Sequence, residues 1–169
     1  VAFSINGGET IGSLQGGGAI GGNVVIGSGQ TLTVAETGSN SFNGSITGTG
    51  NLIKSGVGNM TLTGTSTFNG STTIGAGKLV INGSAPISEL TIGNGGTLGG
   101  IGAVGSVTVQ SGGRIAPGNS PGNIAVSTLT LEGGGGYNWE IANVTGSAGT
   151  DWDLITVGGG SGAATINAT

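Results

Sequence analysis

FNGSITGTGNLIKSGVGNMTLTGTSTFNGSTTIGAGKLV, residues 42–80, decides the fold. Apolar residues stand two apart in it and just past its end, as in Met60 and Leu62 or Leu79 and Ile81, with Thr61 between the first pair. That period puts the apolar side chains on one face of a strand and the polar ones on the other. Each run is closed by glycine, and the strings GTGNLIKSG, GVGNMTLTG and GAGKLVING repeat one grammar. Corners that need a positive φ or a close backbone approach select Gly and Asn. Strands this short do not stand alone as hairpins, and their repetition is the pattern of a stacked coil. Phe42-Asn43-Gly44-Ser45 recurs as Phe68-Asn69-Gly70-Ser71, 26 residues later, a spacing inside the usual solenoid range of roughly 20–50 residues. It predicts Phe42 and Phe68 in one internal ladder on successive coils.

The same alternation continues outward in both directions. Leu32 and Val34 flank Thr33, Leu90 and Ile92 flank Thr91, Val107 and Val109 flank Thr108, and Leu129 and Leu131 flank Thr130. A helical period is interrupted by glycine everywhere, and each interior glycine costs a helix about 1 kcal/mol. The expected fold is therefore all-β: a parallel β-helix, or β-solenoid, right-handed, in a single elongated stack over residues 1–169. One coil cannot bury its own inner face, whereas several stacked coils can. Ala116-Pro117-Gly118-Asn119-Ser120-Pro121-Gly122 reads as a rigid turn between strands. Residues 133–169, which open on four consecutive glycines and hold both tryptophans and the single tyrosine, read as irregular terminal coils of the same stack.

Composition narrows the function. Glycine supplies 42 of 169 residues, yet there are only 3 prolines, which excludes collagen. The 34% hydrophobic content is enough for a core and excludes a disordered linker. Charged residues make up 6%, against about 25% in ordinary soluble domains. With three basic residues and a net charge of −4, the chain lacks the basic footprint of nucleic-acid binding. Cysteine and histidine are absent, which removes thiol nucleophiles, thiolate metal sites and the commonest general base. No cofactor is called for. The opening VAFSINGG lacks the basic and apolar regions of a signal peptide, so an exported protein would contain this chain as an excerpt.

Ligand candidates are few. Glu140, Asp151 and Asp153 are the acidic residues that lie near one another in sequence. Asp151 and Asp153, two apart, would share one face of a strand. A carboxylate pair for glycoside hydrolysis or a weak Ca²⁺ site needs further partners, and no Arg, Lys or His stands nearby. A solvated pair flanking an inward Trp152 is the simpler reading. Trp139, Trp152 and Tyr137 could serve as stacking platforms for a glycan if exposed. Of the basic residues Lys54, Lys78 and Arg114, Lys54 is expected to lay its stem along a coil and keep its ammonium in water. Thr31-Leu32-Thr33 and Thr61-Leu62-Thr63 raise ice binding, which needs one regular face over many coils, and the spacing of such units in the sequence is irregular. The Asn-x-Ser/Thr sequons at Asn43, Asn59, Asn69, Asn82, Asn143 and Asn167 are what a chain rich in these residues produces.

Residues 42–82 resemble the passenger-associated β-strand repeat of bacterial autotransporters. Gly50, Leu52, Lys54, Gly56, Gly58, Leu62, Thr63, Gly64, Phe68, Gly70, Thr72, Ile74, Gly77, Leu79 and Val80 match its pattern, and Met60 stands where leucine is usual. APGNSPG at residues 116–122 and the tail YNWEIAN followed by DWDLITV are similar to later segments of such passengers. The resemblance implies a non-enzymatic structural stem or adhesive segment of an exported surface protein, joined in the whole protein to an outer-membrane barrel and aiding its own secretion by coil stacking. A host or matrix glycan or protein would be its partner. A self-assembling extracellular filament, joined through the unpaired strand edges at the coil ends, is the alternative, and a polysaccharide-active enzyme a more distant one.

Overall fold

In a computed structural model, which describes residues 2–18, 22–158 and 164–167, all regular structure is β. The sequon at Asn167 runs on into residues outside that set. Every pairing between named strands is parallel, and the strands fall into three sheets. The longest follows the path Glu9–Ile11, Thr31–Ala35, Asn51–Ser55, Ser71–Ile74, Ser84–Ile92, Ala103–Val109, Asn123–Leu131 and Leu154–Val157, with Ala164–Ile166 also beside Asn123–Leu131. The second stacks Ser39–Phe42, Asn59–Leu62, Gly77–Ile81, Gly96–Gly100, Arg114–Pro117 and Gly136–Tyr137. A third, short sheet joins Ala2–Ile5, Asn23–Ile26 and Ile46–Gly48. In later coils the strands of the long sheet begin early: Ser84–Ala85 pair with Ala103–Val104 before a shift in register leads to Glu89–Ile92. The chain visits the sheets in turn and returns one rung higher, which is the β-solenoid the sequence predicts.

Inward residues form ladders. Leu32, Leu52, Thr72, Leu90, Val107 and Leu129 lie in register on the long sheet. Met60, Leu79, Leu98 and Ile115 do so on the second. All ten are buried. Burying an aliphatic side chain contributes roughly 1.5–3 kcal/mol, and each rung shields the one below it. The ladder above Val34 contains a charge: Lys54 sits between Val34 and Ile74.

Phe42 and Phe68 are both buried, but they do not share a ladder as the 26-residue spacing suggests. Phe42 is in register with Leu62, 20 residues on. Phe68 belongs to another face, one coil above Gly48, where Thr67 N donates to Ile46 O and Asn69 N to Gly48 O. The first FNGS therefore rounds a different corner from the second.

The corners explain the glycine content. Gly44, Gly64, Gly83 and Gly102 stand one above another. A β-carbon added to Gly64 would lie 2.2 Å from Gly44 O, one on Gly83 2.2 Å from Gly64 O, and one on Gly102 2.1 Å from Gly83 O. Adjacent coils approach here closely enough that no side chain fits.

On the outer face of the long sheet, register brings threonines together. Thr10, Thr33, Thr73, Thr91, Thr108 and Thr130 occupy one row, with Ile53 between Thr33 and Thr73 and Thr165 beyond Thr130. The irregular sequence spacing of these threonines hides a regular face, because the corners, not the sheet, absorb the differences in coil length.

Candidate functional site

The residues singled out for chemistry gather where the stack becomes irregular. The strand Arg114–Pro117 leads into the turn that ends at Gly122, and Gly136–Tyr137 pairs above it. Residues 138–153 then form a long excursion before Leu154–Val157 rejoins the long sheet. Tyr137 continues the inward row of Ile115, and with no named strand stacked above it among the described residues its ring is partly open.

Asp153 organises this excursion. It is buried, at 3% exposure. Its Oδ1 accepts from Gly122 N at 2.8 Å and its Oδ2 from Glu140 N at 3.0 Å. Its carbonyl accepts from Tyr137 Oη at 3.2 Å and Trp139 Nε1 at 3.0 Å, and its own N–H donates to Glu140 O. One residue thus ties the turn, the last strand of the second sheet and the excursion together. Asp151 is half-buried, and its Oδ2 accepts from Ser147 N at 2.7 Å. The two aspartates precede the strand rather than lie in it, so they are not a solvated pair on one strand face. Each is engaged by backbone N–H groups. Trp152 is half-buried between them and makes bridges with Ile141 and Ala148.

The aromatic groups divide. Trp139 is 53% exposed and Tyr137 38%, while their polar atoms are fixed on Asp153 O. Burial, and then the charge of Asp153, raise the Tyr137 hydroxyl above its ordinary pKa. Beside them Ser120 Oγ donates to Glu140 Oε2 at 2.5 Å. Ser120 and Glu140 border two open hollows. One, of about 440 Å³, is completed by Pro121, Ile141 and Ala142; the other, of about 330 Å³, reaches Lys78, Pro117 and Asn119. The Lys78 stem lies against Gly99, where a β-carbon would stand 2.5 Å from its Cε. Arg114 Nη1 donates to Asn138 Oδ1 at 3.2 Å. A hollow with a cation on one wall and a carboxylate on another suits a neutral or zwitterionic polar ligand. Among the described residues no group of three or more acidic, His or Cys side chains gathers to hold a metal ion.

Lys54 lies apart from this region and contradicts the expectation of a wet ammonium. It is fully buried. Its Nζ donates to Ser55 O and Gly56 O, both at 2.9 Å, and to Ala76 O at 3.1 Å. Burial lowers its pKa, and the charge of Glu36 opposes that shift. Glu36 is itself buried; its Oε1 accepts from Gly38 N and Asn40 Nδ2. Strict alternation marks residue 54 as inward, between Leu52 and the corner, and that signal was available in the sequence. Nothing in the local sequence marks the organising role of Asp153 or the contact between Ser120 and Glu140, which join residues from successive coils.

No family model matches the chain. The extracellular serine protease of Serratia marcescens is 38% identical over 115 residues, which cover 68% of this chain and 11% of the protease. Adhesin BmaC autotransporter of Brucella suis is 36% identical over 99 residues, 57% of this chain and 3% of the adhesin. The chain thus spans about a tenth or less of the length of these relatives. The parallel solenoid, its glycine corners and these two similarities together identify the chain as an autotransporter passenger segment, exported to the cell surface or secreted.

Proposed function

We propose that this segment is a non-catalytic stem or adhesive portion of a surface protein, joined in the whole protein to an outer-membrane barrel, and that its coil stacking assists secretion. The supporting observation is the parallel stack itself: strands of the long sheet pair with strands of neighbouring coils. Each coil that forms outside the cell then offers a finished edge to the next, and an emerging chain that folds on such an edge is held from sliding back. The engaged carboxylates of Asp151, Asp153 and Glu140 support a structural rather than a catalytic use. The terminal coils 133–169 belong in this reading to the same unit, since Gly136–Tyr137 and Leu154–Val157 extend the two main sheets.

Display of the parent protein with Phe68→Asp tests the role in secretion. An internal carboxylate in place of a fully buried ring abolishes cooperative unfolding of the isolated chain, and surface exposure measured by external proteolysis falls several-fold. Undiminished display of a variant that no longer folds would overturn the proposal.

The open faces of Trp139 and Tyr137 favour a second reading, glycan binding beside the hollows at Ser120. Oligosaccharide titration followed by tryptophan fluorescence, with Trp139→Ala as control, decides it: a saturable change lost in the variant supports glycan binding, and no change with any glycan class rejects it.

A further inference from the structure

Charge is not spread evenly over the solenoid. Of the three basic residues Lys54 is buried, which leaves Lys78 and Arg114. Both stand on the outer face of the second sheet and in one row: Lys78 is in register with Thr97, and Thr97 with Arg114. The row runs on through Asn59 and Ser39 on one side and to Gly136 on the other. No strand of this sheet contains an acidic residue, whereas strands of the long sheet carry Glu9 and Glu89. A chain of net charge −4 thus keeps one positive strip.

The two cations lean the same way. A β-carbon on Gly99, one rung above Lys78, would stand 2.5 Å from Lys78 Cε and 3.1 Å from its Nζ. A β-carbon on Gly136, one rung above Arg114, would stand 3.1 Å from Arg114 Nη1. Each side chain therefore lies toward the next coil, across a place that glycine leaves open. Because both shift by one rung, the charged heads stay two strand spacings apart, ~10 Å. Lys78 borders the hollow that Asn119, Ser120 and Glu140 complete, and Arg114 is steadied by Asn138 Oδ1.

We propose that Lys78 and Arg114 receive successive carboxylates of a linear acidic polysaccharide with one uronate per disaccharide, lying along the solenoid axis. One pyranose of an extended glycan advances about as far as one strand spacing, so a disaccharide spans the two rungs between the cations. An extended acidic peptide is out of step, since its same-face side chains recur every ~7 Å. The guanidinium matches a carboxylate with two parallel N–H groups. Thr97 between the cations, and Asn119 and Glu140 at the hollow, offer partners to sugar hydroxyls. Glu140 sets one negative charge against two positive ones, so the strip remains attractive to an anion. This deepens the glycan reading given above and rests on it. Exposed ion pairs are individually weak, so one short oligosaccharide is held loosely and a polymer on arrayed copies gains by avidity.

Titration of the isotope-labelled chain with hyaluronate oligosaccharides, followed by NMR shifts, tests the proposal. The tetrasaccharide carries two carboxylates and is expected to bind roughly fivefold more tightly than the disaccharide, with affinity falling as salt is added. It should exceed the neutral N-acetylglucosamine tetramer by about tenfold or more. Lys78→Gln and Arg114→Gln, each with an unchanged melt, should bring the tetrasaccharide down to the affinity of the disaccharide, and Arg114→Lys should retain most of the binding. Equal affinity for the acidic and neutral tetramers, or acidic binding unmoved by both glutamine variants, overturns the proposal and leaves the glycan reading standing. No binding of any glycan overturns both. Oligosaccharides of alternating glucuronate and glucose separate the sources: tighter binding of hyaluronate supports an animal-matrix ligand, and tighter binding of the glucose-containing series supports a bacterial capsular one.

Discussion

Lys54 Nζ donates to the carbonyl of Ala76 at 3.1 Å and so fastens one corner of the solenoid to the corner above it. The same ammonium takes the carbonyls of Ser55 and Gly56. A buried charge is tolerated here because three acceptors surround it and Glu36 lies near enough to act on it electrostatically. Removing one member of a buried charged network leaves the others unsatisfied. Lys54→Met is therefore expected to cost on the order of 3 kcal/mol, read as a lower urea midpoint. Adding Glu36→Gln to it should recover part of the loss, because the orphaned carboxylate is removed as well.

Alkaline stability carries two opposing contributions. Burial holds the pKa of Lys54 below its ordinary value. Between the lowered and the ordinary value the unfolded chain binds a proton that the folded chain has released, so this group makes stability rise with pH. Burial and Asp153 hold Tyr137 above its ordinary value. From the ordinary tyrosine pKa upward the unfolded chain loses its proton first, so this group makes stability fall. Urea midpoints across the alkaline range should lose the rise in Lys54→Met and the fall in Tyr137→Phe.

The glycine column predicts a sharp contrast between two alanine substitutions. Gly83→Ala forces a β-carbon to 2.2 Å from Gly64 O and should destabilise by several kcal/mol or prevent stacking beyond that coil. Gly8→Ala meets nothing within 4 Å and should stay within about 0.5 kcal/mol of the parent. Thermal melts of the two variants check this.

Asp153→Ala strips two backbone N–H groups of their acceptor. A loss of about 2–4 kcal/mol is expected, with Trp139 and Trp152 becoming more accessible to acrylamide quenching. Asp151→Ala removes one contact from a half-buried position and should cost about 1 kcal/mol. Equal effects would mean that Asp153 does not organise the excursion.

Thr72 offers a substitution in the favourable direction. Its Oγ1 is buried in an otherwise aliphatic ladder and finds no hydrogen-bond partner among the described residues. Thr72→Val keeps the shape and removes the orphan hydroxyl, and should raise stability by about 1 kcal/mol, visible as a higher melting temperature.

What the sequence disclosed and what it hid follow one physical rule. Alternation is local, so the strands and their inward residues, such as Leu52, Met60 and Leu79, could be read directly. Register is not local. Paired positions on the long sheet recur after 23 residues from Glu9 to Leu32, 20 from Leu32 to Leu52, 17 from Leu90 to Val107 and 31 from Asn123 to Leu154. A repeat counted along the chain therefore mismatched Phe42 with Phe68 and concealed the threonine row. In the terminal site the aromatic residues and Asp151 and Asp153 were visible as a cluster. The role of Asp153 was not, because its ligands Gly122 and Glu140 come from other segments. Lys54 was legible in position but not in environment: its place in the alternation points it inward, while general experience of lysine points its ammonium to water.

Coil lengths that vary while register holds have a consequence for how such a protein can change over generations. The excursion of residues 138–153 leaves from one sheet and returns to another without disturbing the pairing of Asn123 with Leu154. Residues can therefore be gained or lost at a corner while the scaffold keeps its cross-section. Corner loops can diversify in length and sequence, and the stacked frame that carries them is inherited unchanged.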